Sequence, residues 1–208
     1  MTGRFVTIEG CEGVGKSTAV SRLKKYCAEN GIDALFTREP GGVPVAEKIR
    51  GLILDAGNAE MTGLSELFLY AAARAQHTAQ LIIPALEAGR LVVCDRYSDS
   101  TLAYQCYARG LDKSACEAMN RIAECGVRID LTVFLDLSPE DGFKRKGGAD
   151  NGDRLEKEDL SFHSRVYEGF KRIAAENPGR VASIDASKDR DAVFGSVLAV
   201  MRERGIFG

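Results

Sequence analysis

Eight residues near the start of the chain, Gly10-Cys11-Glu12-Gly13-Val14-Gly15-Lys16-Ser17, fit the pattern G-x-x-x-x-G-K-[ST]. The apolar run at residues 5–8 comes just before them and reads as a buried strand. Residues 17–28 follow, with Val20, Leu23 and Cys27 at helical spacing. Strand, glycine loop and helix in this order form the context of a phosphate-binding P-loop. Glycines take conformations closed to other residues and let the backbone approach an anion closely. The loop N–H groups and the helix N-terminus then point at phosphate oxygens. Lys16 can reach β- and γ-phosphates, and the Ser17 hydroxyl can bind Mg²⁺.

Four more apolar runs stand at residues 34–37, 91–94, 131–135 and 181–184, with helical patterns between them. Continuous apolar strands alternating with helices predict an α/β fold, a five-stranded parallel sheet covered on both faces. Such sheets bind ligands at the carboxyl ends of their strands. The residues just after each strand are therefore the candidates for function.

After the second run comes Arg38-Glu39-Pro40-Gly41-Gly42, a sharp break with two charges. It reads either as a solvated turn or as the rim of a cleft, and a helix over 45–54 carrying Arg50 follows. Residues 65–88 have helical spacing, and Pro84 either kinks that helix or starts a new one. Tyr70 and Arg74 are four apart and share a helix face. Taken alone they suit core packing and a surface charge. The third strand runs into Asp95-Arg96-Tyr97. An acid there suits a magnesium- or water-orienting role, and an arginine suits a phosphate, because its planar fork binds two oxygens. An Asp95–Arg96 structural pair is the alternative. A helix over 98–107 brings in Ser100, Thr101, Tyr104 and Gln105. Pro139 can open a helix at its first turn. Residues 144–154 are basic and then glycine-rich, which suits a mobile lid over phosphates or a plain surface loop. The last helices are expected around Leu160 to Ile173 and over 189–203.

Composition excludes several classes. Hydrophobic residues are 45% and charged residues 28% of 208, ordinary for a globular protein with a real core. A net charge of −2 gives no field favouring nucleic acid or an anionic membrane. No apolar run approaches the roughly 20 residues of a membrane span. The first strand begins too early for a signal peptide. The six cysteines show no C-x-x-C pair or zinc spacing, so a reduced, cytoplasmic setting is expected. Cys11, near a helix N-terminus, is the one cysteine expected to have a lowered thiol pKa.

Several motifs together resemble the thymidylate kinase family. They are residues 8–17, Thr37-Arg38-Glu39-Pro40-Gly41-Gly42, Tyr70-Ala71-Ala72-Ala73-Arg74, Asp95-Arg96-Tyr97-Ser98-Asp99-Ser100-Thr101-Leu102-Ala103-Tyr104-Gln105, and Asp153-Arg154-Leu155-Glu156. The resemblance implies a P-loop NTPase fold in one domain over 1–208, with a lid at about 144–154. It implies transfer of the ATP γ-phosphate to dTMP, giving dTDP, with Mg²⁺, by a cytoplasmic homodimer. By the same resemblance, ATP is held by Gly10, Cys11, Glu12, Gly13, Val14, Gly15, Lys16, Ser17 and Thr18, with Arg145 stacking on adenine. Tyr70 stacks on thymine, Arg74 bonds the base, and Thr101 and Gln105 lie at its N3 edge. Arg96 and Arg50 hold the dTMP phosphate, with Ser100 beside them, and Glu39 and Tyr104 lie near the sugar. Glu12 reaches the 3′-hydroxyl region, and Ser17 and Asp95 serve the metal. Some members carry a catalytic arginine in the loop where Gly13 stands here, and others carry arginines in the lid. This chain resembles the second group, with Lys146 and Arg154 as the nearest lid cations.

Phosphoryl transfer needs in-line positioning and charge cancellation more than covalent help. Lys16, Arg96, Glu12, Arg154 and Lys146 are the expected catalytic set. The rival readings are a kinase for another nucleoside or nucleotide, a GTPase and a non-catalytic nucleotide-binding module. No N-K-x-D guanine motif is present. Intact Lys16, Ser17, Asp95 and Arg96 speak against lost catalysis.

Overall fold

The computed structural model describes residues 1–146 and 152–207, the side chain of Lys146 excepted. Five parallel strands form one sheet: β1 (Arg4–Glu9), β2 (Ala34–Arg38), β3 (Leu91–Asp95), β4 (Leu131–Asp136) and β5 (Val181–Asp185). Their spatial order is β2-β3-β1-β4-β5. β1 is thus central, with Val6 opposite Val93 on one side and Leu131 on the other. Its apolar run is buried on both faces, as a central parallel strand requires. β2 and β5 are the edges, and the residues of β2 are only half-buried or exposed.

The helices are α1 (Lys16–Glu29), α2 (Pro44–Leu54), α3 (Gly63–His77), α4 (Ile83–Glu87), α5 (Ser98–Thr101), α6 (Lys113–Ala123), α7 (Pro139–Lys146), α8 (Leu160–Glu176) and α9 (Arg190–Glu203). A π-helical turn, Thr78–Ile82, joins α3 to α4. Of the two expectations for Pro84, the start of a new helix holds: it sits in the first turn of α4, where its missing N–H matters least. A second π-helical segment, Leu102–Ala108, extends α5. The expected helix over 98–107 is thus one turn of α-helix followed by a wider coil. Widened turns of this kind recur at functional sites, and this one carries Tyr104 and Gln105.

Alternate residues of β1 and β3 serve different cores. Val6, Ile8 and Val93 join the larger one with Leu23, Cys27, Phe162 and Phe170. Phe5, Val92 and Cys94 join a smaller one with Ile82, Leu86 and Tyr97. Val20, read as a core position of α1, is only partly buried, and Ala19 takes its place. In α9 the buried positions are Val197, Leu198 and Met201, while Val193 and Val200 pack against the core from its margin.

Candidate active site

The carboxyl ends of β1, β2 and β3 open onto a cleft of about 380 Å³. Glu12, Gly13, Gly15, Lys16, Ser17 and Thr18 line one end of it, and Tyr70, Arg74, Thr101 and Gln105 line the other. Arg38, Glu39, Arg50, Asp95, Arg96, Ser100 and Tyr104 also border it. Residues far apart in the sequence analysis therefore meet in one place.

The loop turns through left-handed glycines, with φ of 143° at Gly10, 72° at Gly13 and 100° at Gly15. Gly10, Cys11 and Val14 do not line the cleft; Cys11 and Val14 belong to the core. Lys16 is buried, and its Nζ donates to the carbonyls of Gly10 at 3.0 Å and Cys11 at 2.6 Å. Burial, then the Arg96 charge, lowers its pKa. Gly13 packs directly on Gly142 of α7. A Cβ on either residue would run into the other segment's backbone. Gly13 is thus closed over by α7. Cys11 corrects an expectation: burial pushes its thiol up to about 12, not down, outweighing the Lys16 charge.

Arg96 has φ of 66°, a left-handed conformation that a residue with a Cβ adopts at a cost of about 1–2 kcal/mol. Its neighbours hold it there. The Glu9 carboxylate, fully buried at the end of β1, accepts from the Tyr97 backbone N–H and the Ser100 hydroxyl, both at 2.7 Å. The Arg96 guanidinium donates to the Gly10 carbonyl at 3.1 Å and to the Glu12 carboxylate, and it lies 5.2 Å from the Tyr104 ring centre. Arg96 is therefore tied to both the P-loop and Tyr104, and its reading as a partner of Asp95 alone does not hold. Asp95 Oδ1 is buried with no hydrogen-bond partner.

At the other end, Arg74 is 1% exposed, so it is no surface charge. Its Nε donates to Glu39 at 2.8 Å, and its Nη1 to Thr101 and Asn120, each at 2.8 Å. Nη2 is the part of the fork left outside these bonds. Burial is the largest single influence on the Arg74 pKa and lowers it, but the charge and hydrogen bond of Glu39, with Tyr97 and Glu124, together outweigh it and the net shift is upward. Glu39 also meets His77 Nδ1 at 3.0 Å. Burial raises the Tyr70 hydroxyl pKa, so the ring stays neutral beside the cleft. Arg50 donates to the Pro40 carbonyl at 2.9 Å, and Arg38 holds Glu47 with both arms.

Of the expected lid, Asp153 lines the cleft, beside Leu155 and Glu156. Residues 147–151 and the Lys146 side chain lie outside the described residues. Arg154 is buried, donating to the Ile53 carbonyl at 2.9 Å and to Glu66, and it does not line the cleft. Arg145 is exposed and donates to the carbonyls of Ala186 at 2.7 Å and Ser187 at 2.9 Å, just beyond β5.

Sequence reasoning missed Glu9, Glu66, His77, Asn120 and His163. Glu66, Tyr70 and Arg74 are spaced four apart on α3, so the helical stripe that marked the last two pointed to the first as well. His163 lines the cleft with its Nε2 unpartnered, and burial lowers its pKa. Nothing local in the sequence marks it.

The chain matches the family model described as thymidylate kinase over residues 8–197. The chain belongs to the thymidylate kinase family. It is 45% identical to the thymidylate kinase of Geobacillus sp. (strain WCH70) over 206 residues, covering 98% of each chain. It is 46% identical to that of Oleidesulfovibrio alaskensis (strain ATCC BAA-1058 / DSM 17464 / G20) over 207 residues, covering 96% and 97%. The solved thymidylate kinase of Ehrlichia chaffeensis superposes with a TM-score of 0.77 at 32% identity, over 97% of this chain and 99% of that one. Family membership agrees with the α/β P-loop NTPase fold expected from the sequence.

Proposed function

We propose that this chain transfers the γ-phosphoryl group of ATP to dTMP, giving dTDP for dTTP synthesis. The observation that carries the reading is one cleft with a P-loop at one end, a buried Tyr70–Arg74–Gln105 pocket at the other, and Arg96 between them. Lys16 and the loop N–H groups bind the ATP phosphates. Arg96, with Arg50 and Ser100, holds the acceptor phosphate and offsets the repulsion between two anions. Glu12 orients Arg96 and faces the sugar, with Glu39 and Tyr104 beside it. Tyr70 stacks on the base, while Arg74, Thr101 and Gln105 read its edge. Arg145 stacks on adenine and Lys146 meets the transferring phosphoryl group, whereas Arg154 must first leave Glu66 and the Ile53 carbonyl to do so; single substitutions separate the three.

Asp95 and Ser17 suit Mg²⁺. Asp95 offers an unpartnered buried oxygen, and magnesium takes few protein ligands because substrate phosphates and water complete its shell. When bound, the ion neutralises charge on the phosphate oxygens. Lys16 and Arg96 do the same from the protein side, and closure over the cleft excludes water.

We further propose a homodimer and a reducing, cytoplasmic setting. Exposed Val45 and Leu52 on α2 and Leu64 and Phe68 on α3 support the first, and six free cysteines support the second. No helix of the described residues is long and apolar enough to cross a membrane. The deciving assay is ADP formation from Mg–ATP with each nucleoside monophosphate. Turnover with dTMP should exceed all others, and preference for another monophosphate overturns the assignment. Sedimentation of Phe68→Glu should show a monomer where the parent chain is a dimer.

A further inference from the structure

Glu66, in the first turn of α3, has no exposed surface. Its carboxylate gathers groups from distant parts of the chain. Oε1 accepts from Gln105 Nε2 at 2.7 Å, and Oε2 accepts from Arg109 Nη2 at 3.2 Å and from Arg154. Arg109 reaches on to Glu158 at 2.7 Å, and the backbone N–H of Arg154 donates to the Leu54 carbonyl at 3.1 Å. A carboxylate so enclosed is held by two guanidiniums and an amide.

The chemistry of the amide partner is directional. An ionised carboxylate only accepts hydrogen bonds, whereas a glutamine side chain has one accepting end and one donating end. Glu66 therefore takes the –NH₂ end of Gln105 and leaves its carbonyl oxygen as the group available to the cleft that Gln105 lines. A carbonyl oxygen can pair with a pyrimidine that carries hydrogen on N3, as thymine and uracil do. It meets the N3 lone pair of cytosine unfavourably, acceptor against acceptor.

We propose that Glu66 is a specificity-positioning residue, which fixes the Gln105 amide so that the site takes a pyrimidine with an N3–H donor and rejects one with an N3 lone pair. The proposal rests on the base-end reading given above. Glu66 touches no substrate; it acts through Gln105. Arg109 and Arg154 donate to the same carboxylate. The two readers then divide the base edge: Gln105 tests N3, and the free arm of Arg74 supplies a donor.

The test compares kcat/KM for dTMP and dCMP in the full-length protein and two variants. Parent-chain turnover with dTMP tests the functional reading separately, before any variant is made. Glu66→Gln lets residue 66 donate as well as accept, which frees Gln105 to turn over. The dTMP-to-dCMP ratio should fall by about tenfold or more, with the KM for ATP within about twofold. Arg109→Gln removes a cation from the same carboxylate but leaves the Gln105 bond, and its ratio should stay within about twofold of the parent. Equal loss of both activities in Glu66→Gln means a purely structural role and overturns the proposal. So does an Arg109→Gln ratio that falls as far as that of Glu66→Gln. Should Glu66→Gln not fold, the parent chain decides. With ¹⁵N-labelled glutamine, the Gln105 side-chain N–H protons should stay protected from exchange when dTMP binds. Their release from Glu66 on binding overturns the proposal.

Discussion

The Glu9 carboxylate at the end of β1 accepts a hydrogen bond from the backbone N–H of Tyr97, 2.7 Å away, across 88 residues of sequence. That bond and its partner to Ser100 both lie just after Arg96, so the strand that leads into the P-loop also shapes the turn that carries Arg96.

Burial, and then the charge of Asp99, push the Glu9 carboxyl from 4.5 up to about 7. The folded chain keeps a proton that the unfolded chain releases between those values. The favourable contribution is complete below about pH 4.5 and is lost as pH rises through about 7, a swing of about 3 kcal/mol. Glu9→Gln can still accept from Tyr97 and donate to Ser100, and it does not titrate. Relative to the variant, the parent Tm should fall by roughly 5–10 °C between pH 5 and 8. Parallel Tm curves across that range would show that Glu9 does not titrate there.

Arg96→Ala should lower kcat by about 10³-fold or more, the scale on which arginines act in phosphoryl transfer. The far-ultraviolet dichroism should stay that of the parent chain, because Arg96 stands at the edge of the cleft rather than in either apolar core. Near-normal turnover in this variant removes Arg96 from the mechanism.

Gly142→Ala separates two effects of opposite sign. In a helix, Gly→Ala gains about 1 kcal/mol from backbone entropy. Here the added methyl meets the Glu12 carbonyl, and overpacking costs about 1–3 kcal/mol. The packing term should win, with a lower Tm and a raised KM for ATP as the P-loop shifts. A more stable variant with unchanged KM would mean that α7 moves aside freely.

The cysteines give a chemical check. Cys11 is buried with its thiol pushed up to about 12, while Cys125 is exposed. Thiolate, not thiol, is the nucleophile. Iodoacetamide at pH 8 should therefore label Cys125 first and reach Cys11 only on unfolding. Early labelling of Cys11, read by peptide mass, would mean that the loop opens in solution.

The strands and the P-loop were legible because their signal is local: apolar runs, glycine spacing and one lysine within a few residues. α6 was not. Its buried positions are Cys116, Asn120 and Ala123, too small and polar to make an apolar stripe. Asn120 nonetheless joins Arg74 to the Ser98 carbonyl. The buried acids were hidden for a related reason. Nothing local marks Glu9 or Glu66 as buried, because their partners lie 91 and 88 residues away. Arg154 shows the opposite failure. Its motif was visible and suggested a phosphate, whereas its guanidinium lies on Glu66 and the end of α2.

The central position of β1 also sets a timetable. Thr7 meets Thr132 at 2.8 Å across a sequence separation of 125, and Val6 needs both Val93 and Leu131 beside it. A ribosome adding about 5–20 residues per second takes on the order of ten seconds to supply them. β1 thus lacks at least one of its two neighbours throughout that interval. Strand-pairing errors during synthesis should concentrate at the strand that leads into the P-loop.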